Sequence, residues 1–249
     1  MLTTAPVSDT PITALHRRRL REVWRSAGWP CHDMVEVELL AAGLLDRLRD
    51  ETGRETLRVS DAGIGVIAQT QQANRARRDA HEALVERVAR EMTRAGRIAW
   101  RALSLRAKVD DGWAMAMPDV FSIRNTTVEE YLEPIVHEVK VHRSDLLADL
   151  KRASKRAAYL QLGGECWYVI RAGIARPEEI PPECGVMVAS DSVLDVARPA
   201  PKRALRLPFG AWMALARATP VEGWRADEAQ GWLGGSVDAD GDNAAAPQA

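Results

Sequence analysis

The spacing of apolar positions changes several times along the chain, and each change marks an element. Leu15, Leu20, Val23, Trp24 and Ala27 recur at helical spacing among Arg17, Arg18, Arg19, Arg21 and Arg25. They predict a helix over 13–27 that Gly28-Trp29-Pro30 ends. Asp33 is placed to cap a second helix reaching about Ala42, with Glu36 three residues on as in a capping box. Two short alternating runs, 44–49 and 56–59, flank the polar turn Asp50-Glu51-Thr52-Gly53-Arg54 and predict a β-hairpin. Another helix opens at Ser60-Asp61-Ala62-Gly63. Residues 69–96 then form a polar helical stretch, rich in Ala and Arg, whose apolar side is Leu84, Val85, Val88 and Met92.

The pattern then turns to strands. Residues 98–105 are dense enough in apolar side chains for a buried strand. A second strand lies within 113–123, ending near Asp119, and a third spans 135–141. Ser144 is expected to cap a helix that Gly163-Gly164 ends. Strands at 166–170 and 185–189 and a closing helix at 206–217 come next. Residues 1–11 look loose, and from Gly234 onward Gly, Asp, Ala and Pro suggest a disordered tail.

Charge adds a gradient. The net charge is −1, but residues 1–108 hold 19 Lys and Arg against 14 Asp and Glu, so the first half is mildly basic. Such a bias permits contact with nucleic acid without arguing for it. Cys31, Cys166 and Cys184 are odd in number and form no C-x-x-C pair, which disfavours a zinc site or a disulfide framework. There is no apolar run of about 18 residues and no signal-peptide pattern, so the expectation is a cytoplasmic protein with no membrane partner.

The chemistry concentrates in Pro118-Asp119 and His137-Glu138-Val139-Lys140. Acid, strand, Glu-x-Lys and helix in that order bring two carboxylates and one amine to neighbouring strand ends. Strand alternation puts Glu138 and Lys140 on one face, with Val139 on the other. His137 is then a packing residue, and His142 shares the parity of Glu138 and Lys140 near the strand's end. Two carboxylates can hold a divalent metal, and a nearby ammonium can position a water beside a phosphate.

The order of elements over about residues 80–217 resembles the PD-(D/E)xK nuclease superfamily, and most of all its MmcB-like group of DNA-repair nucleases. The stretch that carries the resemblance is Glu138-Val139-Lys140, then Asp145, Asp149, Lys151, Lys155 and Tyr159, the strand Trp167-Tyr168-Val169-Ile170, and the step Ile180-Pro181-Pro182 into Gly185-Val186-Met187-Val188. It implies a restriction-endonuclease-like mixed sheet flanked by helices. The implied activity is Mg2+- or Mn2+-dependent hydrolysis of DNA in repair or processing. In such a site Asp119, Glu138 and the Val139 carbonyl ligate the metal and Lys140 assists. Glu82 matches a helix acid that some members place before the first strand. Gln161 partly matches a Gln-containing signature of RecB-like members. Lys151 and Lys155, one turn apart on the helix, are candidates for phosphate contact.

Residues 42–64 resemble the wing of MarR-type winged-helix domains, through Gly43-Leu44-Leu45-Asp46-Arg47 and Leu57-Arg58-Val59-Ser60-Asp61-Ala62-Gly63. A winged helix-turn-helix domain of this kind would present Arg54 and Arg58 to DNA. Glu36 and Glu38 make the helix at 33–42 acidic, which phosphate repels, so docking of protein or formation of a homodimer is the other use of this domain. The expected organisation is a flexible start at 1–11, the winged helix at 12–70, a connecting helix at 71–96, the nuclease-like domain at 97–225 and an acidic tail at 226–249. Two other functions compete: a DNA-binding regulator whose nuclease fold no longer cuts, and a protein-interaction scaffold.

Overall fold

The computed structural model describes residues 11–109 and 112–222. The expectations for residues 1–10 and for the acidic tail fall outside them. The chain divides into two compact units, Met1–Ala80 and His81–Ala249.

In the first unit, α1 (Ala14–Arg25) is capped by Thr13, whose side chain accepts from the His16 N–H while the His16 ring accepts from the Thr13 N–H. His16, Leu20 and Val23 are its buried face. Asp33 caps α2 (Met34–Ala41), accepting from the Glu36 N–H at 2.9 Å. The return bond expected of a capping box is not made. The Glu36 carboxylate turns instead to the backbone N–H groups of Cys31 and His32, at 2.6 and 2.9 Å. β1 (Leu45–Arg49) and β2 (Glu55–Val59) form the expected antiparallel hairpin. Gly28 has φ of +74° and accepts from the Leu57 N–H at 2.6 Å. A Cβ there would lie 2.0 Å from the Leu57 carbonyl oxygen, so both conformation and space require glycine. The two helical stretches expected from Ser60 onward are one helix, α3 (Asp61–Arg94). It contains no proline and is rich in Ala, Arg, Gln and Glu, which favour helix.

The second unit is built on a six-stranded mixed sheet in the order β10-β9-β8-β7-β6-β3. Its strands are β3 (Arg97–Arg101), β6 (Val120–Arg124), β7 (Ile135–Lys140), β8 (Glu165–Arg171), β9 (Gly185–Ala189) and β10 (Leu194–Arg198). β7, β8 and β9 run parallel to their neighbours in that trio, and the flanking pairs are antiparallel. One face packs Ala99, Val120, Val139, Val141 and Val169 against Leu84, Val85, Val88 and Ala89 of α3. The other packs Phe121, Val136, Tyr168, Ile170 and Val186 against α4 (Arg143–Leu150), α5 (Ala153–Leu160) and α6 (Phe209–Arg217). A separate two-stranded sheet, β4 (Leu105–Val109) and β5 (Gly112–Ala116), lies against α5 and α6.

Several elements differ from the sequence reading. The strand expected over 113–123 is two strands, because Pro118 lacks the N–H that a continuous ladder needs. Asp119 therefore precedes β6 instead of ending a strand. β10, an antiparallel edge strand, has no counterpart among the expected elements. The helix expected from Ser144 to Gly163 is two helices, and His142, not Ser144, is its N-cap residue. α4 stops at Lys151-Arg152, where Arg152 N–H bonds back to the Asp149 carbonyl at 2.8 Å and Arg156 donates to the Leu150 carbonyl. A mixed sheet with helices on both faces matches the general restriction-endonuclease-like α/β architecture. No helix among the described residues is long and apolar enough to cross a membrane.

Candidate functional site

β7 carries the centre of the site. Its side chains alternate as expected: Val139 enters the aliphatic layer under α3, and Glu138 and Lys140 face α4 and α5. Glu138 is 3% exposed, so its charge must be compensated. One carboxylate oxygen, Oε1, takes the ammonium groups of Lys140 and of Lys155, the latter at 2.5 Å. The other, Oε2, faces the Tyr159 hydroxyl at 2.8 Å. That hydroxyl also lies 2.9 Å from the Met117 carbonyl, so its single proton has two acceptors.

A second carboxylate completes the cluster. Asp149 Oδ1 takes Lys155 Nζ at 2.6 Å, and Oδ2 takes the Tyr168 hydroxyl at 2.8 Å. Lys140 Nζ lies 3.8 Å from Asp149. Tyr168 stands beside Glu138 in the parallel register of β7 and β8. Burial acts against the charge on Asp149, but Lys155, Lys140 and Tyr168 outweigh it and hold its pKa below the ordinary carboxylate value. Burial also acts against the charge on Lys155, and the two carboxylates overcome it, so its pKa is raised. Tyr159 and Tyr168 are pushed above the ordinary phenol value, by burial first and then by Glu138 and Asp149 respectively. Both hydroxyls remain donors at neutral pH.

Asp119 approaches from just before the neighbouring strand, β6. The β6–β7 ladder ends at Val120 opposite His137, and beyond it Asp119 Oδ2 accepts the Val139 N–H at 2.7 Å. Strand geometry directs the N–H and C=O of one residue to the same side, so the Val139 carbonyl shares this edge with Asp119. His81 Nε2 lies 3.5 Å from the same Oδ2, and its pKa is raised, by Asp119 foremost. No hydrogen bond reaches Oδ1 of Asp119 among the described residues. Asp119 opens on a cavity of about 290 Å³ lined also by Glu82, Arg101, Met117 and Pro118.

The fold thus brings Glu138, Lys140 and Lys155 together and ties Asp119 to Val139. Glu82 lines the Asp119 cavity but is exposed and pairs with Arg101 at 2.9 Å. Gln161 is exposed at the end of α5, with no side-chain bond to Asp119, Glu138 or Lys140 among the described residues. Lys151 and Lys155 are not neighbours on one helix face. Lys151 is the exposed C-cap of α4, whereas Lys155 begins α5 and turns inward. His142 starts α4 and makes no side-chain cap bond. His137 is fully buried, and burial pushes its pKa down to about 3, so it packs as a neutral ring.

In the first unit, the Arg54 guanidinium lies 4.1 Å over the Trp29 ring, and Arg58 sits exposed 3.4 Å from Asp46. Of the acids of α2, Glu36 is withdrawn from the surface and Glu38 stays partly exposed. Glu36 is buried against Arg47, and Glu38 meets His16 at 2.6 Å. The side chains that α2 exposes include Met34 and Val37.

Sequence reasoning missed Asp149, Tyr168 and His81 as members of the site. Asp149 is legible in the sequence only as part of a helix pattern. The remaining signal, an acid and a lysine six residues apart, has meaning only across the break between α4 and α5.

No family model matches the chain, and no curated protein matches it. Among solved structures, a protein of unknown function from Silicibacter pomeroyi superposes with a TM-score of 0.38 and 21% identity, covering 59% of this chain and 83% of that one.

Proposed function

We propose that the protein is a metal-dependent nuclease that hydrolyses DNA phosphodiester bonds in repair or processing. One observation carries the reading: Glu138 and Lys140 share a face of β7, while Asp119, just before the adjoining strand, is bonded to the backbone of the residue between them. The donor set suits Mg2+ or Mn2+, since Asp119, Glu138 and the Val139 carbonyl offer only hard oxygens. Oδ1 of Asp119, which takes no hydrogen bond among the described residues, and the shared edge with the Val139 carbonyl support the fit. Glu138 would take part once Lys140 or Lys155 releases Oε1. When bound, the ion would supply charge stabilisation and a water acidified for attack. Lys140 would hold that water or the scissile phosphate oxygen, and Tyr159 would fix the Glu138 carboxylate through Oε2. Lys155 would balance charge between Glu138 and Asp149 as the substrate enters.

The first unit is read as a winged helix whose hairpin carries Arg54 and Arg58 toward the DNA backbone, or whose exposed Met34 and Val37 meet a protein or a second copy of the chain. A second reading, a DNA-binding protein with an inactive nuclease fold, is favoured by two features. Glu138 is already neutralised by two lysines, and among the described residues no group of three or more His, Cys, Asp or Glu could hold a metal.

The deciding experiment is cleavage of linear, circular, single-stranded and branched DNA with Mg2+ or Mn2+, comparing wild type with Glu138→Ala, Asp119→Ala and Lys140→Ala. The expected result is metal-dependent cutting lost in all three while the variants stay folded. Cutting that persists in Asp119→Ala and Lys140→Ala would overturn the assignment.

A further inference from the structure

The hairpin β4–β5 has two unlike faces. Leu105, Ala107 and Ala116 are buried against the core under α5 and α6. The opposite face shows Arg106 and Lys108 from β4 and Trp113, Met115 and, just past the strand, Met117 from β5. Trp113, Met115 and Met117 are 65%, 59% and 58% exposed. Register sets cation beside apolar group, with Arg106 opposite Met115 and Lys108 opposite Trp113. The Arg106 guanidinium lies 5.5 Å from the indole centroid, which helps to hold the ring in place.

This face adjoins the candidate site. Arg106 and Met115 line a cavity of about 530 Å³ with Arg101, Met213 and Arg217, and no Asp or Glu among the described residues lines it. Arg101 and Ala102 also line the cavity of Asp119, so the two cavities adjoin. Met117 precedes Asp119 by two residues and lines that second cavity. Arg101 is engaged by Glu82, but Arg106 and Arg217 have no ion-pair partner among the described residues.

We infer that the outer face of β4–β5, with the arginine cavity beside it, binds single-stranded nucleic acid and leads it to Asp119. The inference deepens the nuclease reading by naming its substrate class, and only the cleavage of the bound strand rests on that reading. The chemistry selects the occupant. Cations in a groove that no described carboxylate lines attract a phosphate backbone, and the exposed aromatic and thioether side chains beside them offer surfaces on which unpaired bases stack. A duplex keeps its base faces within its own stack and would use only the cations.

The test is fluorescence anisotropy of a labelled oligothymidylate of about 20 nucleotides and of a duplex of equal length, in EDTA, over a series of salt concentrations. The single strand should bind at least about tenfold tighter than the duplex. Trp113→Ala should weaken the single strand by roughly tenfold, and Trp113→Phe should restore most of the loss. The double variant Arg106→Ala, Lys108→Ala should flatten the salt dependence by about 0.7 per lost phosphate contact. All three positions are exposed, and circular dichroism will verify that the variants are folded. Equal affinity for duplex, or wild-type binding by Trp113→Ala, overturns the inference, as does equal competition by heparin for wild type and Trp113→Ala. Because EDTA removes the need for hydrolysis, the two ideas fail separately. Hairpin-dependent binding without cutting in Mg2+ or Mn2+ would sink the nuclease reading and uphold this one. Cutting that needs Glu138 but ignores Trp113 would do the reverse.

Discussion

Glu36 and Glu138 are both withdrawn from water, one in each unit, and their partners differ in kind. Glu36 is held by two backbone N–H groups and by Arg47 at 2.9 Å. Burial opposes its charge, yet those donors win, and its pKa is lowered. Backbone donors cannot leave without unfolding the turn at Cys31-His32, so this carboxylate is committed to structure. Among the described residues Glu138 has only side-chain partners: two lysine ammoniums and one tyrosine hydroxyl. Ammonium groups on flexible stems can exchange a carboxylate for a phosphate or yield it to a cation. Burial alone does not separate a structural acid from a chemical one; the mobility of its partners does.

The sharpest way to test that contrast is a pair of substitutions read on two scales. Glu138→Gln keeps shape and the Tyr159 contact, and should lower metal-dependent cleavage by about 10³-fold or more, on the scale of losing an essential charged group. Glu36→Ala should leave cleavage by the folded protein unchanged but lower stability by about 2–4 kcal/mol, since two N–H groups and a guanidinium lose their acceptor. Chemical denaturation beside a cleavage assay reads both. A Glu36 variant as stable as wild type, or a Glu138 variant that cuts normally, would erase the distinction.

The parts of this site that are legible in the sequence are those set by local alternation. Glu138 and Lys140 are two residues apart on a strand, so their shared face follows from the pleat alone. The sheet's parallel core can be read from Ile135 to Lys140 and Cys166 to Ile170, apolar runs joined by a helical stretch. What is not legible depends on contacts between elements. The break at Lys151-Arg152 contains neither Gly nor Pro, yet it lets Lys155 reach Asp149. Tyr168 meets Asp149 only because the parallel register sets it beside Glu138. His81 sits in a polar helix whose pattern gives no reason to single out one ring, and Asp119 across the fold supplies that reason. The unlike faces of β4–β5 are present as alternation over 105–117, but they emerge only when Pro118 is taken as the boundary of a strand.

A smaller effect should come from Tyr159→Phe. The hydroxyl touches both Glu138 and the Met117 carbonyl, and its loss should lower stability by about 1 kcal/mol. Under the nuclease reading it should also loosen the Glu138 carboxylate, so cleavage should fall by roughly tenfold, far less than with Glu138→Gln. A loss as large as that of Glu138→Gln would make Tyr159 more than a positioning residue.

The smallest effect should be present at neutral pH and fade in acid. Asp149 is buried between Lys155 and Tyr168, and its folded pKa lies below the ordinary 3.8. A depressed carboxylate contributes stability that is complete above its unfolded value and is withdrawn as pH falls through the folded one. Wild type should therefore lose stability below about pH 4 more steeply than Asp149→Asn, which has no proton to take up at that position. Urea midpoints collected from neutral pH downward should converge for the two proteins as acid removes the wild-type advantage. Lys155 keeps Glu138 as a partner in the variant, so the neutral-pH difference should stay modest. Parallel acid limbs would mean that Asp149 does not titrate between the folded and unfolded states as its lysine and tyrosine partners require, and the shared charge of this cluster would have to be assigned to Glu138 alone.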